Sequence, residues 1–235
     1  MQLSESNSGK IRLFTELGTA IFHTPSKLFS FEELVDLSLG SNTFRGFHRV
    51  DKAKKGSGEI CRSVLRRSKN LIISEVKRAE SELDLHRFSC SIAESLIEAL
   101  RSNIRPSQLS SFNKIRKPID IVIEHMVAMG EDFQEARDKN IDLLFLPLDS
   151  QIFQSEFVFS SLEIRALKLK RNFTFKDIDS ENHYKEIQEF LKRKASSIGI
   201  KSRIFFDLEW NERFSRKGLC LFDLNPPARK THFHC

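Results

Sequence analysis

The chain has few of the residues that build disulfide frameworks or hydrogen-bonded aromatic surfaces. Tyrosine and tryptophan each occur once, against 21 phenylalanines, so aromatic bulk is expected to serve packing. The cysteines, none of them in Cys-x-x-Cys spacing, are Cys61, Cys90, Cys220 and Cys235. This spacing predicts reduced thiols rather than disulfides. Cys235 could ligate a metal together with His232 and His234, the alternative being a frayed chain end.

Long apolar stretches are also missing. Residues 1–9 are polar and serine-rich and contain no apolar segment of the kind that a signal peptide carries. No later apolar run approaches the length that is needed to span a membrane. We therefore expect a cytoplasmic protein with no membrane partner.

The charge balance is moderately basic, with a formal net charge of +6. Such an excess is compatible with a polyanionic partner such as nucleic acid. Hydrophobic residues make up 40% of the chain, which is enough for a substantial core. The length fits one large domain or two small ones.

Apolar residues recur at helical spacing through the N-terminal half. Helices are predicted over residues 11–22, 31–37, 59–83, 85–104 and 132–139. Ser30 and Glu33 have the spacing of a capping box before the second of these helices. His86 is interpreted as a surface residue near a helix start rather than as a ligand.

Residues 116–130 fit either a strand or a helix. The length of the segment favours the helix, with Pro118 at the first helical position, where proline is accepted. Asp120 and Glu124 then lie one turn apart on the polar side. Together with His125 they could act as acid–base or metal-binding residues, the alternative being a charged outer face.

Short apolar runs in the second half of the chain are typical of strands. Strands are predicted at 141–148, 152–159, 203–208 and 219–222. The expected fold class is therefore α+β, with a helix-rich N-terminal part and a small mixed sheet in the C-terminal third. The predicted division is a mainly helical domain over 1–150 and a mixed part over 151–235.

An acidic pair lies in residues 203–211, Arg-Ile-Phe-Phe-Asp-Leu-Glu-Trp-Asn. On a strand, Asp207 and Glu209 would share a face, with their Cα atoms roughly 6–7 Å apart. Two carboxylates at this separation repel one another unless a cation lies between them, and Mg²⁺ prefers oxygen ligands. The alternative is two solvated acids paired with nearby cations such as Arg213 or Lys217.

The loop over residues 41–58 combines basic side chains, among them Arg45, Arg49 and Lys52, with two phenylalanines. Basic residues interleaved with aromatic ones can follow a phosphate backbone. A solvated loop without a partner is the alternative.

The run Phe-Asp-Leu-Glu-Trp-Asn at 206–211 resembles the acidic motif of type II restriction endonucleases, and also the first acidic motif of the primase–polymerase superfamily. Either resemblance implies that Asp207 and Glu209 are metal ligands. The endonuclease resemblance further implies that Lys217 orients the attacking water.

Residues 159–203 resemble the helix-turn-helix of LuxR-type regulators, with a first helix capped at Ser160, another helix that begins at Ser180, and the closing run Ile-Gly-Ile-Lys-Ser-Arg at 198–203. This resemblance implies that Lys185, Gln188, Lys192 and Arg193 face the DNA groove or its phosphates.

These signals together predict a protein that acts on double-stranded DNA, with a Mg²⁺-dependent endonuclease as the leading hypothesis and a homodimer as a possible assembly. Asp120 or Glu124 would supply the third acid of its site. A second phosphate-binding segment is expected at Lys168, Lys170 and Arg171. A non-enzymatic helix-turn-helix regulator and a helical interaction protein are the alternatives.

Overall fold

The computed structural model describes residues 5–44, 47–169 and 173–209, and helices make up the regular structure of this part. The α-helices are α1 (Glu5–His23), α2 (Phe31–Ser38), α3 (Ser57–Arg67), α4 (Lys69–Arg78), α5 (Glu82–Leu100), α6 (Phe112–Met129), α7 (Arg137–Ile141), α8 (Ser150–Gln154), α9 (Ser161–Ala166) and α10 (Glu181–Ser197). Short 3₁₀ turns occupy Ser41–Phe44, Pro106–Gln108, Glu131–Phe133, Phe175–Asp177 and Arg203–Asp207.

The predicted α+β fold class is wrong, because the described residues contain isolated β-bridges but no strand. Ile141 ends α7, residues 142–143 form a turn, and residues 144–148 have no regular secondary structure. Residues 152–159 begin inside α8, and residues 203–207 form a 3₁₀ turn. The fourth predicted strand, at 219–222, lies outside the described residues.

Residues 144–148 are buried without a neighbouring strand, and side chains bond part of their backbone. The amide of Gln188 in α10 accepts a hydrogen bond from Leu146 N at 3.1 Å and donates one to Leu146 O at 2.7 Å. Asn113 in α6 donates to Leu148 O at 2.9 Å. These bonds replace the ladder of a sheet, so these buried backbone groups are paired while the segment stays single.

Helix α6 runs through the middle of the fold, and every residue from Asn113 to Met129 is buried. It packs against α1, α2, α5, α7 and α10. It begins after the Ser111 cap, so Pro118 lies inside the helix rather than at its first position, and that part of the prediction is wrong. No helix in the described ranges combines the length and apolarity that crossing a bilayer requires.

Phenylalanines join the turn at Arg203–Asp207 to the N-terminal helix α1. Phe205 stacks on Phe22 with ring centroids 5.6 Å apart, and Phe206 meets Phe157 edge-on at 6.0 Å. The Phe205 ring lies directly over Gly18, where a Cβ atom would be 2.4 Å from the ring. One hydrophobic cluster therefore includes residues from both sides of position 150.

Replacing Gly18 with alanine should destabilise the protein by about 1–3 kcal/mol, because the added methyl group overpacks the contact with Phe205. Urea unfolding of the variant measures this loss. Gly9→Ala in the same helix is the matched control, since nothing lies within 4 Å of the position of its added Cβ. The control should be neutral or slightly stabilising, and equal stability of the two variants would contradict the proposed contact.

Candidate functional site

Three of the predicted catalytic acids are buried around α6 in this structure. Asp120 and Glu124 lie one turn apart on α6, and Asp207 ends the turn at Arg203–Asp207. The carboxyl group of Glu124 is hydrogen-bonded to that of Asp207. The alternative interpretation of Asp120 and Glu124 as a charged outer face is wrong, because α6 has no outer face.

The pair formed by Glu124 and Asp207 shares a proton. Burial, together with the nearby charge of Asp149, raises the pKa of Asp207 to about 7. Burial and the charge of Asp207 raise the pKa of Glu124 well above its usual value. Glu124 therefore keeps its proton and donates it in the hydrogen bond to Asp207. Lys117 approaches the pair and forms an ion pair with Asp149 at 2.9 Å.

Asp120 belongs to a second buried group, with Arg116 and Tyr184. Arg116 Nε donates to Asp120 Oδ1 at 2.7 Å, and the Tyr184 hydroxyl donates to Oδ2 at 2.7 Å. The rings of Phe145 and Tyr184 lie 5.1 and 5.2 Å from the guanidinium carbon. Burial raises the pKa of Asp120, and the contact with Arg116 opposes that rise. The three side chains form a fully enclosed ionic group.

Asp207 and Glu209, which were predicted to bind one Mg²⁺ ion, contact different partners. Asp207 contacts Glu124 in the interior, whereas Glu209 forms an ion pair with Lys10 of α1. Magnesium binding by this pair stays a prediction. Lys217, the predicted water-orienting residue, lies outside the described residues.

His86, Cys90 and Glu181 form a third cluster, which the sequence interpretation missed. His86 is buried rather than on the surface, and its Nε2 atom lies 3.0 Å from Glu181 Oε1 and 3.5 Å from Cys90 Sγ. Their ligand atoms lie within 4.8 Å of one another, which is the spacing of a metal site. The four-residue interval between His86 and Cys90 on one helix was the available signal, but no local pattern indicated Glu181.

The predicted nucleic-acid-binding residues fall in separate places. Exposed cations of α10 form ion pairs: Lys185 with Glu181, Lys192 with Glu82 and Arg193 with Glu189. Lys168 is exposed after α9 in a left-handed backbone conformation, with φ at 55°. Arg49 and Lys52 are exposed in the first loop. Outside the described residues lie Arg45, Lys170 and Arg171.

The first loop is fixed in place by backbone and side-chain hydrogen bonds. Val50 N donates to Asn103 O at 2.9 Å, and Arg105 N donates to His48 O at 3.0 Å. Arg49 Nη1 donates to two carbonyl oxygens of its own loop, at residues 52 and 54, at 2.9 and 3.0 Å. Residues 48–54 are therefore held in one shape, with the cationic side chains of Arg49, Lys52 and Lys54 exposed.

Comparison with protein-family models, with curated proteins and with solved structures gives no match.

Proposed function

We propose that this chain binds double-stranded DNA through a basic surface on the first loop. The basic surface is defined as the exposed side chains Arg49, Lys52, Lys54, Lys55 and Arg105. Its cations outnumber the two local acids, Asp51 and Glu59, of which Glu59 pairs with Lys55 at 3.2 Å and Asp51 accepts from the backbone N–H of residue 53 at 2.9 Å. An excess of positive charge on a surface of this kind attracts phosphates without reading the base sequence.

The observation that carries the proposal is the preorganisation of this loop by Arg49. Its guanidinium bonds to two loop carbonyls, so little conformational entropy remains to be lost when phosphates bind. A further positive charge lies beneath the loop, where Lys114 Nζ is 4.4 Å from the centre of the Phe47 ring. Burial and the like charge of Lys176 lower the pKa of Lys114 to about 8.

Lys52→Ala combined with Lys54→Ala should weaken binding of a short duplex about tenfold. The loss of two phosphate contacts should reduce the slope of log affinity against log salt concentration by about 2. Fluorescence anisotropy over a salt series measures both quantities. Arg49→Lys keeps the charge but loses the carbonyl bonds, so it should weaken binding as well.

The control variant is Lys185→Ala combined with Lys192→Ala on α10, which removes the same charge from the predicted helix-turn-helix. This control should bind as the parent chain does. A loss confined to the α10 variant would instead favour the helix-turn-helix regulator. Absence of binding in every form would overturn the proposal and leave the helical interaction protein.

One observation favours the Mg²⁺-dependent endonuclease as a second candidate. Glu124 and Asp207 are far apart in sequence but lie side by side in the structure. The endonuclease hypothesis requires such an approach, because its site needs a third acid from α6 beside Asp207. Because the pair is buried, this function requires residues 203–209 to open when metal and DNA bind. Plasmid cleavage that depends on Mg²⁺ and is abolished by Asp207→Asn would support it, and intact plasmid would exclude it.

A further inference from the structure

The cluster of His86, Cys90 and Glu181 brings together three different ligand types on two helices. His86 and Cys90 are one turn apart on α5, and Glu181 is the first residue of α10. The imidazole nitrogen Nε2 is the common contact of the other two ligand atoms. The three ligand atoms all lie within 4.8 Å of one another.

One separation between the ligand atoms matches a tetrahedral zinc site, and a second is about 0.4 Å shorter. With Zn–N near 2.0 Å and Zn–S near 2.3 Å, tetrahedral angles place the nitrogen and sulfur atoms about 3.5 Å apart, and the nitrogen and oxygen atoms about 3.4 Å apart. The observed distances are 3.5 Å from Nε2 to Sγ and 3.0 Å from Nε2 to Oε1. Small side-chain shifts would complete the geometry.

We propose that His86, Cys90 and Glu181 bind one Zn²⁺ ion, with a water molecule as the fourth ligand. A cavity of about 210 Å³ adjoins the cluster and is lined by His86, Phe145 and Lys185, among others. His86 lines this cavity and the Glu181 side chain is 46% exposed, so solvent can reach the cluster. Three protein ligands with one open position are the arrangement of zinc sites that activate water, whereas structural sites have four protein ligands.

Zinc binding changes the hydrogen bonds of the cluster in a defined way. Arg116 Nη1 lies 3.2 Å from His86 Nδ1 and 3.6 Å from Cys90 Sγ. Without metal, Nδ1 accepts from Arg116 and the Nε2–H group donates to Glu181. Zinc would take the place of the Nε2 proton, which moves to Nδ1. Because a protonated Nδ1 can no longer accept from Arg116, the Nη1 group has to turn from the ring to the Cys90 thiolate.

One proton leaves for each zinc ion bound, and it is the Cys90 thiol proton. Zinc binds cysteine as the thiolate, so the thiol proton is released when the ion binds. A glutamate side chain is ordinarily ionised at neutral pH and releases none. Calorimetry in buffers of different ionisation enthalpy measures the proton count.

The test is titration of the full chain with Co²⁺ and Zn²⁺, with cobalt–thiolate absorption as the readout. The tail carries other potential ligands, so the background variant replaces Cys220 and Cys235 with serine, and His232 and His234 with alanine. In that background we expect one metal ion per chain and release of one proton.

Cys90→Ser should abolish the cobalt–thiolate band, and Glu181→Gln should weaken zinc binding tenfold or more. Cys61→Ser is the matched control, because Cys61 is a buried cysteine of α3 outside the cluster. Glu181 is half-exposed, so its substitution tests the site even if the His86 or Cys90 variants fold poorly. No stoichiometric binding by the folded background chain, or binding that Cys90→Ser leaves unchanged, would overturn the proposal.

Discussion

Arg116→Met should destabilise the fold by about 3–5 kcal/mol, the cost of removing one partner from a buried ion pair. The guanidinium is completely enclosed, and Asp120 is almost so, with side-chain exposures of 0% and 2%. Without Arg116, the Asp120 carboxylate keeps only the Tyr184 hydroxyl as a donor, in an interior that solvates charge poorly. Urea unfolding measures the loss.

Arg66→Met provides the matched control. Arg66 forms an ion pair with Asp36 at 2.6 Å, but both side chains are exposed. Its loss should cost at most about 1 kcal/mol because solvent screens the pair. Adding Asp120→Asn to Arg116→Met should recover part of the stability, since the uncompensated charge is then gone. A cost for Arg116→Met no greater than that for Arg66→Met would contradict the enclosed ion pair.

The stability of the protein should fall as the pH rises towards neutrality, because Asp207 loses its proton in a buried site. Its pKa is raised in the folded state to about 7, against about 3.9 when unfolded. The folded state therefore binds the proton more tightly between these values. This contribution to stability is fully present below the unfolded pKa and is lost as the pH rises through the folded one. Asp207 alone should account for a loss of about 3 kcal/mol between about pH 5 and about pH 8. Glu124, which keeps its proton only in the folded state, should add to this loss in the same direction.

Asp207→Asn should remove the part of this pH dependence that comes from Asp207, and should make the protein more stable than the parent chain at about pH 8. Denaturant unfolding over a pH series gives both free energies. Asp142→Asn, at an exposed position, should leave the pH profile unchanged. A parent profile that is flat between these pH values would show that Glu124 and Asp207 do not share a buried proton.

Local signals in the sequence predicted the helices better than the connections between them. The caps at Ser30, Ser160 and Ser180 are confirmed, because each side chain accepts from a backbone N–H of its helix. The helix predicted over 59–83 is instead two helices that meet at Ser68. The spacing of the apolar residues predicted the buried face of this region but not the break between the two helices.

The strand at 141–148 was predicted because a leucine-rich apolar run looks the same whether its backbone pairs with a strand or with side chains. The backbone of this segment pairs with side chains, because Gln188 bonds both the N–H and the carbonyl group of Leu146. Gln188 itself was expected on the DNA-facing side of its helix, and it is buried. Gln188 and Leu146 are 42 residues apart in sequence, so no local pattern predicts their contact.

The candidate sites show the same division between local and distant contacts. The spacing of Asp120 and Glu124 placed them one turn apart, but which of them meets Asp207 depends on how the turn at Arg203–Asp207 packs. His86 was misassigned because a histidine early in a helix has no local feature that distinguishes an enclosed position from a solvated one. Its partners Arg116 and Glu181 lie on other helices.

The enclosure of α6 has a consequence for synthesis on the ribosome. Helix α6 leaves the exit tunnel well before Tyr184, Arg203 and Asp207, which cover its charged residues in the finished fold. Until those residues emerge, Asp120 and Glu124 remain hydrated, and α6 cannot be buried as it is in the finished fold. The nascent chain therefore stays open around its central helix, and chaperones have their longest access to the protein during this interval.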